Sequence, residues 1–130
     1  MRRLAAILPI LERNNFDFGH WAGGETRPDG SLTMPYFEFS VEAVEMLRCV
    51  PVEVFDWPTW AATEEGRALR EDRMRLAVAT ADELVKLTTS LVRADRFTEG
   101  TLAWAFESGL LLAIARRAEE LSSGSMHGSD

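Results

Sequence analysis

The sequence predicts an all-α fold, with about five helices in a compact single domain over residues 1–121. Apolar residues recur at helical spacing in several segments, and helix-capping residues precede most of those segments. Strand-like alternation is confined to residues 36–39. The chain has 130 residues, of which 46% are apolar and 27% charged, so its composition is that of a folded globular domain and excludes a disordered or fibrous chain.

The N-terminal segment predicts a short amphipathic helix over residues 3–13. Leu4, Ile7, Leu8 and Leu11 fall on one face of it, at the spacing i, i+3, i+4, i+7. We expect the helix to end at the two asparagines that follow.

Residues 16–35 predict a long irregular loop that is rich in glycine, proline and aromatic side chains. Within it, Pro28-Asp29-Gly30 is typical of a tight turn. A loop of this length in a small domain is either functional or packed down by its own aromatic side chains. The alternation that follows, over residues 36–39, favours a brief extended piece.

Two helices are predicted in the middle of the chain. Ser40 is a typical N-cap for a helix over residues 41–50, and Asp56 for a second helix that runs to about Leu69. The stretch 67–75 is dense in arginine and acidic residues, so we expect it to be a solvated connection.

Two longer helices are predicted to complete the domain as an antiparallel hairpin. Thr80 and Glu83 form a capping-box pattern at the start of a helix that reaches about Asp95. The next helix covers residues 99–121 and is apolar nearly all round, which predicts a central position in the core. Residues 122–130 predict a flexible polar tail.

Charge and cysteine content limit the function classes. The net charge is -7, and residues 1–65 hold 11 acidic against 5 basic side chains, so nucleic acid is an unlikely partner. The single cysteine, Cys49, excludes an intramolecular disulfide and is typical of a reducing cytosol. The most apolar segment, 102–115, is shorter than a membrane span and contains Glu107. We therefore predict a cytoplasmic protein without a membrane segment.

No catalytic or cofactor motif stands out in the sequence. It contains no Walker loop, no dinucleotide-binding glycine fingerprint, no His-Glu-x-x-His zinc motif and no paired cysteines. We predict neither a cofactor nor a metal, and the sequence leaves enzymatic activity open.

The densest polar cluster lies at the junction between the last two predicted helices. Arg93 and Arg96 are three residues apart, and Thr89 precedes Arg93 by one turn. Two parallel guanidinium groups beside a helix start are suited to hold a phosphate or a carboxylate. These three residues, together with Asp95 and Glu99 beside them, are one candidate ligand site.

The same stretch allows a structural alternative. Asp95 and Glu99 are close enough in sequence to neutralise both arginines, and Phe97 would then plug the core. The sequence leaves the two interpretations open.

Aromatic residues with polar neighbours form a second candidate, either for a ligand groove or for a protein interface. His20 and Trp21 are its candidate ligand-binding residues, although His20 lacks a sequence neighbour suited to metal binding and would need a carboxylate partner as a base. Glu107 either meets an arginine in the core or faces solvent. The aromatic belt consists of Phe18, His20, Trp21, Tyr36, Trp57 and Trp60.

The stretch 87–100 reads Leu-Thr-x-x-Leu-Val-Arg-x-Asp-Arg-Phe-x-Glu-Gly and resembles a family of small bacterial proteins known only as a domain of unknown function. The resemblance implies a single bacterial cytoplasmic domain that spans most of the chain, and it implies no activity. It extends to Phe18-Gly19-His20-Trp21, Met34-Pro35-Tyr36, Phe55-Asp56-Trp57 and Glu107-Ser108-Gly109.

Two functional hypotheses follow. The first is a non-enzymatic protein-binding or regulatory module that contacts another protein, or a second copy of itself, through the aromatic belt and the acidic first half. The alternative is a sensor of a small anionic ligand, or an enzyme, built on Arg93 and Arg96 with His20 or Glu107 as acid or base. A structural subunit of a larger homo-oligomer is a third possibility.

Overall fold

The protein combines helices with a small β-sheet. A computed structural model describes residues 1–127, with the backbone alone for 124–127. Helices account for 54% of the chain, and a two-stranded antiparallel sheet accompanies them. The predicted all-α fold with about five helices is therefore wrong, and the fold is mixed α/β.

Several predicted helices are divided in the structure. In chain order the elements are α1 (Arg2–Ala5), α2 (Leu8–Leu11), β1 (Gly19–Ala22), β2 (Tyr36–Phe39), α3 (Val41–Leu47), α4 (Trp57–Ala61), α5 (Glu64–Glu71), α6 (Arg73–Leu76), α7 (Ala81–Ala94), α8 (Thr101–Glu107) and α9 (Leu110–His127).

The N-terminal helix is broken into α1 and α2. Pro9 lies in the first turn of α2, and because proline has no amide hydrogen it cannot bond to the carbonyl of the preceding turn. The predicted inward face is correct at Leu4 and Ile7, which are buried. Both short helices pack against α9.

The predicted irregular loop contains a β-strand. β1 pairs antiparallel with β2, which was expected as a brief extended piece. The hairpin places the ring of Phe37 against Phe18, which stacks on Phe106 of α8 with ring centroids 4.5 Å apart. Phe37 is also buried, so the hairpin contributes directly to the core.

The predicted caps Ser40, Asp56 and Thr80 are confirmed, whereas the predicted ends of the helices are not. The Ser40 hydroxyl accepts from the amide of Ala43 at 3.0 Å, and α3 begins where expected. The helix after Asp56 divides into α4 and α5. Asp72 then caps α6, so the charged stretch 67–75 is mostly helical and is not the predicted connection, although most of its charged side chains are exposed.

The last two helices do not form the predicted long hairpin. α7 has the predicted capping box at Thr80 and Glu83. The segment predicted as a single helix over 99–121 forms α8 and α9, which Ser108 and Gly109 separate. Gly109 has a φ of 83°, a left-handed conformation that ends a helix.

α9 extends to His127, and residues 128–130 of the predicted tail lie outside the described residues. Buried leucines of α7 and α9, including Leu87 and Leu111, form the centre of the core. Within residues 1–127, none of the helices combines the length and apolar character needed to cross a membrane.

Candidate functional site

The turn between α7 and α8, residues 95–100, joins three parts of the chain. Asp95 begins it, and its carboxylate accepts from the amide of Leu102 at 3.0 Å. Burial raises the pKa of Asp95 above its ordinary value, and the negative charge of Glu99 adds to this, while hydrogen bonds from the amides of Leu102, Gly100 and Thr101 oppose it. Asp95 is thus a cap for α8.

Glu99 connects the turn to the β-hairpin. Its Oε1 accepts from the amide of Phe37 in β2 at 3.1 Å, across 62 residues of sequence. Phe37 lies opposite Trp21 in the sheet register, and their rings meet edge to face at 5.6 Å. A side chain of the turn therefore holds the strand pair that carries Trp21.

Trp21 covers Gly100, the residue that precedes α8. Gly100 has a φ of 97°, and a Cβ atom there would lie 2.7 Å from both Cη2 and Cζ2 of the Trp21 ring. The ring occupies the space that a side chain would take. Trp21 nevertheless remains 50% exposed, so it both anchors the hairpin and contributes to the surface.

The two candidate arginines have no acidic partner. Within the described residues, neither Arg93 nor Arg96 forms an ion pair or a side-chain hydrogen bond, because Asp95 and Glu99 bind backbone amides instead. Phe97, expected to plug the core in that alternative, is 82% exposed. The structural ion-pair network is therefore not formed.

Thr89 lies apart from the arginines in its bonding. It is fully buried, its hydroxyl donates to the carbonyl of Val85 at 2.7 Å, and it accepts from the amide of Glu53 at 3.0 Å. The neighbouring Thr88 donates to the carbonyl of Pro51 at 2.8 Å. These two hydroxyls hold an extended segment against α7. Ligand binding by Thr89 and the arginines stays a prediction.

His20 has the carboxylate partner that its sequence neighbours did not reveal. Its Nε2 lies 3.4 Å from a carboxylate oxygen of Glu38, the residue directly opposite in the sheet. Both side chains are more than half exposed. The pair faces open solvent. Glu107, the other candidate acid, is also exposed, and no ion pair joins it to the described part of the chain.

The predicted aromatic belt divides into separate groups. Phe18 belongs to the core under the hairpin, where it stacks on Phe106. The Trp60 indole donates to Glu65 at 2.7 Å and is half buried. Trp57 is different, because its partner is an exposed ring of the α7–α8 turn.

An aromatic group lies beside this turn, with two exposed rings and the half-buried ring of Trp57, and we call it the aromatic patch: Trp57, Phe97 and Trp104. The rings of Trp57 and Phe97 stack with centroids 6.3 Å apart, and Trp104 is 46% exposed. Trp57 and Trp104 line a cavity of about 230 Å³ together with Leu91 and Arg70.

Sequence reasoning missed Trp104 and misplaced Phe97. Leu102, Ala103 and Ala105 are buried, so Trp104 occupies the outward position of α8. The sequence did contain a signal for an exposed aromatic surface, because the helical repeat places this large aromatic residue on the side that faces solvent. Among the side chains that the structure describes, no three of His, Cys, Asp or Glu come together as a metal site would require.

These features define a class of small mixed α/β protein, in which a β-hairpin docks on the turn between two core helices and an aromatic surface stays exposed. Residues 1–124 match the model of a family of unknown function, DUF6508, and the chain belongs to that family. The resemblance seen in the sequence is thereby confirmed. No curated protein and no solved structure matches the chain.

Proposed function

We propose that this protein is a non-enzymatic interaction module that binds an extended segment of another protein through the aromatic patch. The partner segment has an apolar anchor side chain flanked by carboxylates. The observation that best supports the proposal is Phe97, which is 82% exposed, stacks on Trp57 and directly follows Arg96, an arginine without an ion pair in the described residues.

The exposure of the patch is an energetic argument for a partner. Burying a phenylalanine side chain contributes about 1.5–3 kcal/mol of favourable free energy. Phe97 gains little of this free energy in the isolated chain, because its side chain is exposed. Contiguous apolar surface with a polar rim is typical of interaction sites. Tryptophan and arginine are also the residues that most often dominate binding energy at protein interfaces.

The charges around the patch favour carboxylates on the partner. Arg93 and Arg96 have no partner within the described chain, and Arg70 in the cavity wall donates only to the carbonyl of Ala61, at 3.0 Å. A guanidinium group that is not paired with a carboxylate of its own chain is available to bind a carboxylate of a partner through two hydrogen bonds. These three cations are local exceptions in a chain of net charge -7.

The cavity supplies a place for the apolar anchor. At about 230 Å³ it is smaller than the sites that hold most free ligands, and its walls are mainly two indoles and apolar side chains. A leucine or phenylalanine of the partner would fill it, while flanking carboxylates would meet the arginines.

The alternative of an anion sensor or enzyme on Arg93 and Arg96 has less support. Neither arginine lines the neighbouring cavity, and the hydroxyl of Thr89 is already bonded on both sides. The proposal retains the cytoplasmic location predicted from the single cysteine.

Display of random peptides against the immobilised chain tests the proposal. We expect selected peptides to combine leucine or an aromatic residue with aspartate or glutamate, and their amide shift changes to map to the α7–α8 turn. Phe97→Ser and Trp104→Ser should each weaken binding at least about tenfold, since each removes an interface anchor. Arg96→Gln should weaken binding and reduce its salt dependence.

Met74→Ser is the matched control, because Met74 is as exposed as Phe97, at 83%, but lies on α6. Equal binding by wild type, Phe97→Ser and Trp104→Ser would refute the proposal. So would a dimer in solution that Phe97→Ser dissociates, because the patch would then belong to a second copy of the chain.

A further inference from the structure

A second cavity lies where α6 meets the start of α9. Its volume is about 480 Å³, within the range of small-molecule sites. Leu76 of α6 and Leu112 of α9 give it an apolar floor, and Arg73, Arg116 and Arg117 stand around it. It is separate from the aromatic patch, since the two cavities share no lining residue.

We propose that this cavity binds a small organic anion, with a carboxylate or phosphate head held by the arginines and a short apolar body on the leucines. The two head groups share the chemistry that a guanidinium recognises, namely paired oxygen acceptors with negative charge.

Two of the arginines are held in place without being neutralised. Arg73 donates from Nη1 to the carbonyl of Arg70 and from Nη2 to that of Ser108, both at 3.1 Å. Arg117 donates from Nε to the carbonyl of Ala79 at 2.8 Å. Carbonyl oxygens orient a guanidinium and leave its charge intact, and neither arginine has a carboxylate within 4.0 Å in the described chain.

Donors remain for a ligand. Among the side chains of residues 1–123 and the described backbone, the Nη1 and Nη2 groups of Arg117 have no other hydrogen bond, and they are the two that project farthest along the side chain. Since Nε already fixes the plane of the group, binding an anion requires little further ordering of Arg117.

The acidic groups nearby do not cancel the positive charge. Glu120 also lines the cavity, and Glu12 lies 4.0 Å from Arg116, beyond hydrogen-bond distance. Three cations thus face one carboxylate within the cavity. A concave surface with an excess of one sign concentrates ligands of the opposite sign.

The test is titration calorimetry on the full chain with four probes. Phenyl phosphate and benzoate carry an anion and an apolar body, inorganic phosphate carries the anion alone, and benzyl alcohol carries the apolar body alone. We expect saturable binding of phenyl phosphate, benzoate or both, tighter than that of inorganic phosphate or benzyl alcohol. The tighter of the first two identifies the head group.

Variants locate the site. Arg117→Gln should weaken binding of the tighter probe at least about tenfold, as expected for loss of charge-assisted hydrogen bonds. Arg116→Gln should also weaken binding of this probe. Because Arg116 donates no hydrogen bond within the described chain, we expect this variant to fold, and it tests the site if Arg117→Gln unfolds. Arg48→Gln, an exposed arginine on the end of α3, is the matched control.

Three results would overturn the proposal. One is unchanged affinity in folded Arg116→Gln relative to Arg48→Gln. Another is benzyl alcohol binding as tightly as the anions. The last is no saturation by either organic anion below about 10 mM. Phe97→Ser should bind the probe normally, which keeps this test independent of the aromatic patch.

Discussion

Replacing Gly100 by alanine tests how the β-hairpin docks on the α7–α8 turn. Gly100 has a φ of 97°, where an L residue costs about 1–2 kcal/mol in backbone strain. The new methyl group would also lie 2.7 Å from two atoms of the Trp21 ring, well inside contact distance. The ring must move, and the contact between hairpin and turn is weakened.

The size of the second effect follows from the burial of Trp21. The side chain is 50% exposed, so its buried half covers on the order of 100 Å². At about 25 cal/mol per Å², complete displacement of the ring costs at most about 2.5 kcal/mol. With the backbone strain added, we expect Gly100→Ala to lower the free energy of unfolding by about 2–4 kcal/mol.

Gly109→Ala provides the matched control. Gly109 has a similar φ of 83°, but a Cβ atom there would meet no other atom within 4 Å. Urea denaturation followed by circular dichroism should therefore give only the backbone cost, about 1–2 kcal/mol. The difference between the two variants isolates the contact with Trp21.

A double-mutant cycle with Trp21→Ala completes the assay. In the Trp21→Ala background, the excess cost of Gly100→Ala over Gly109→Ala should vanish. The reasoning fails if Gly100→Ala and Gly109→Ala differ by less than about 0.5 kcal/mol in the wild-type background, or if the excess survives removal of the ring.

Three further predictions concern single side chains. Thr89→Val keeps the shape of a buried residue but leaves the amide of Glu53 without its acceptor, so urea denaturation should show a loss of about 1–3 kcal/mol, and a loss below about 0.5 would contradict the bond. Burial opposes ionisation of Glu83, but hydrogen bonds from the Thr80 amide and from Arg75 outweigh it and lower the pKa of Glu83 from 4.5 to about 2. Because the folded-state pKa is the lower one, this stabilisation is present above about pH 5 and is lost as the pH falls toward 2. Glu83→Gln should remove about 2–3 kcal/mol of that pH dependence, measured between about pH 6 and pH 2, and a slope equal to that of wild type would exclude this account. Glu107→Ala should change stability by less than about 0.5 kcal/mol, since the side chain is exposed, and a loss above about 3 would indicate a buried pair.

The starts of α3, α4 and α7 could be predicted from the sequence because a cap is a local interaction. The side chains of Ser40, Asp56 and Thr80 each accept a hydrogen bond from the amide three residues ahead, so both partners of the cap lie within four consecutive residues. Helix ends and the β1 strand depended on the rest of the fold. β1 has only four residues and no clear alternation, and it exists because β2 lies beside it.

The candidate site shows the same limit. Asp95 and Glu99 were expected to pair with arginines because those charges are adjacent in sequence. Their partners are backbone amides. Every residue except proline has a backbone amide, so no residue type in the sequence indicates which amide a carboxylate will bind. The exposure of Phe97 was hidden for a related reason, since an apolar residue near a helix end is usually buried.

The bond between Glu99 and the amide of Phe37 also bears on the order of folding. It closes a loop of 62 residues, whereas the caps and turns of α7 and α8 close loops of a few residues. Closing a long loop costs chain entropy before the contacts that compensate for it can form, so such contacts form late in folding. We expect the hairpin to dock after the transition state, so that Glu99→Ala, which removes the acceptor for the Phe37 amide, speeds unfolding in stopped-flow experiments and leaves the folding rate unchanged. A slower folding rate would instead place the hairpin in the folding nucleus. In the first case the hairpin is also the part whose amides exchange with solvent before the helical core opens.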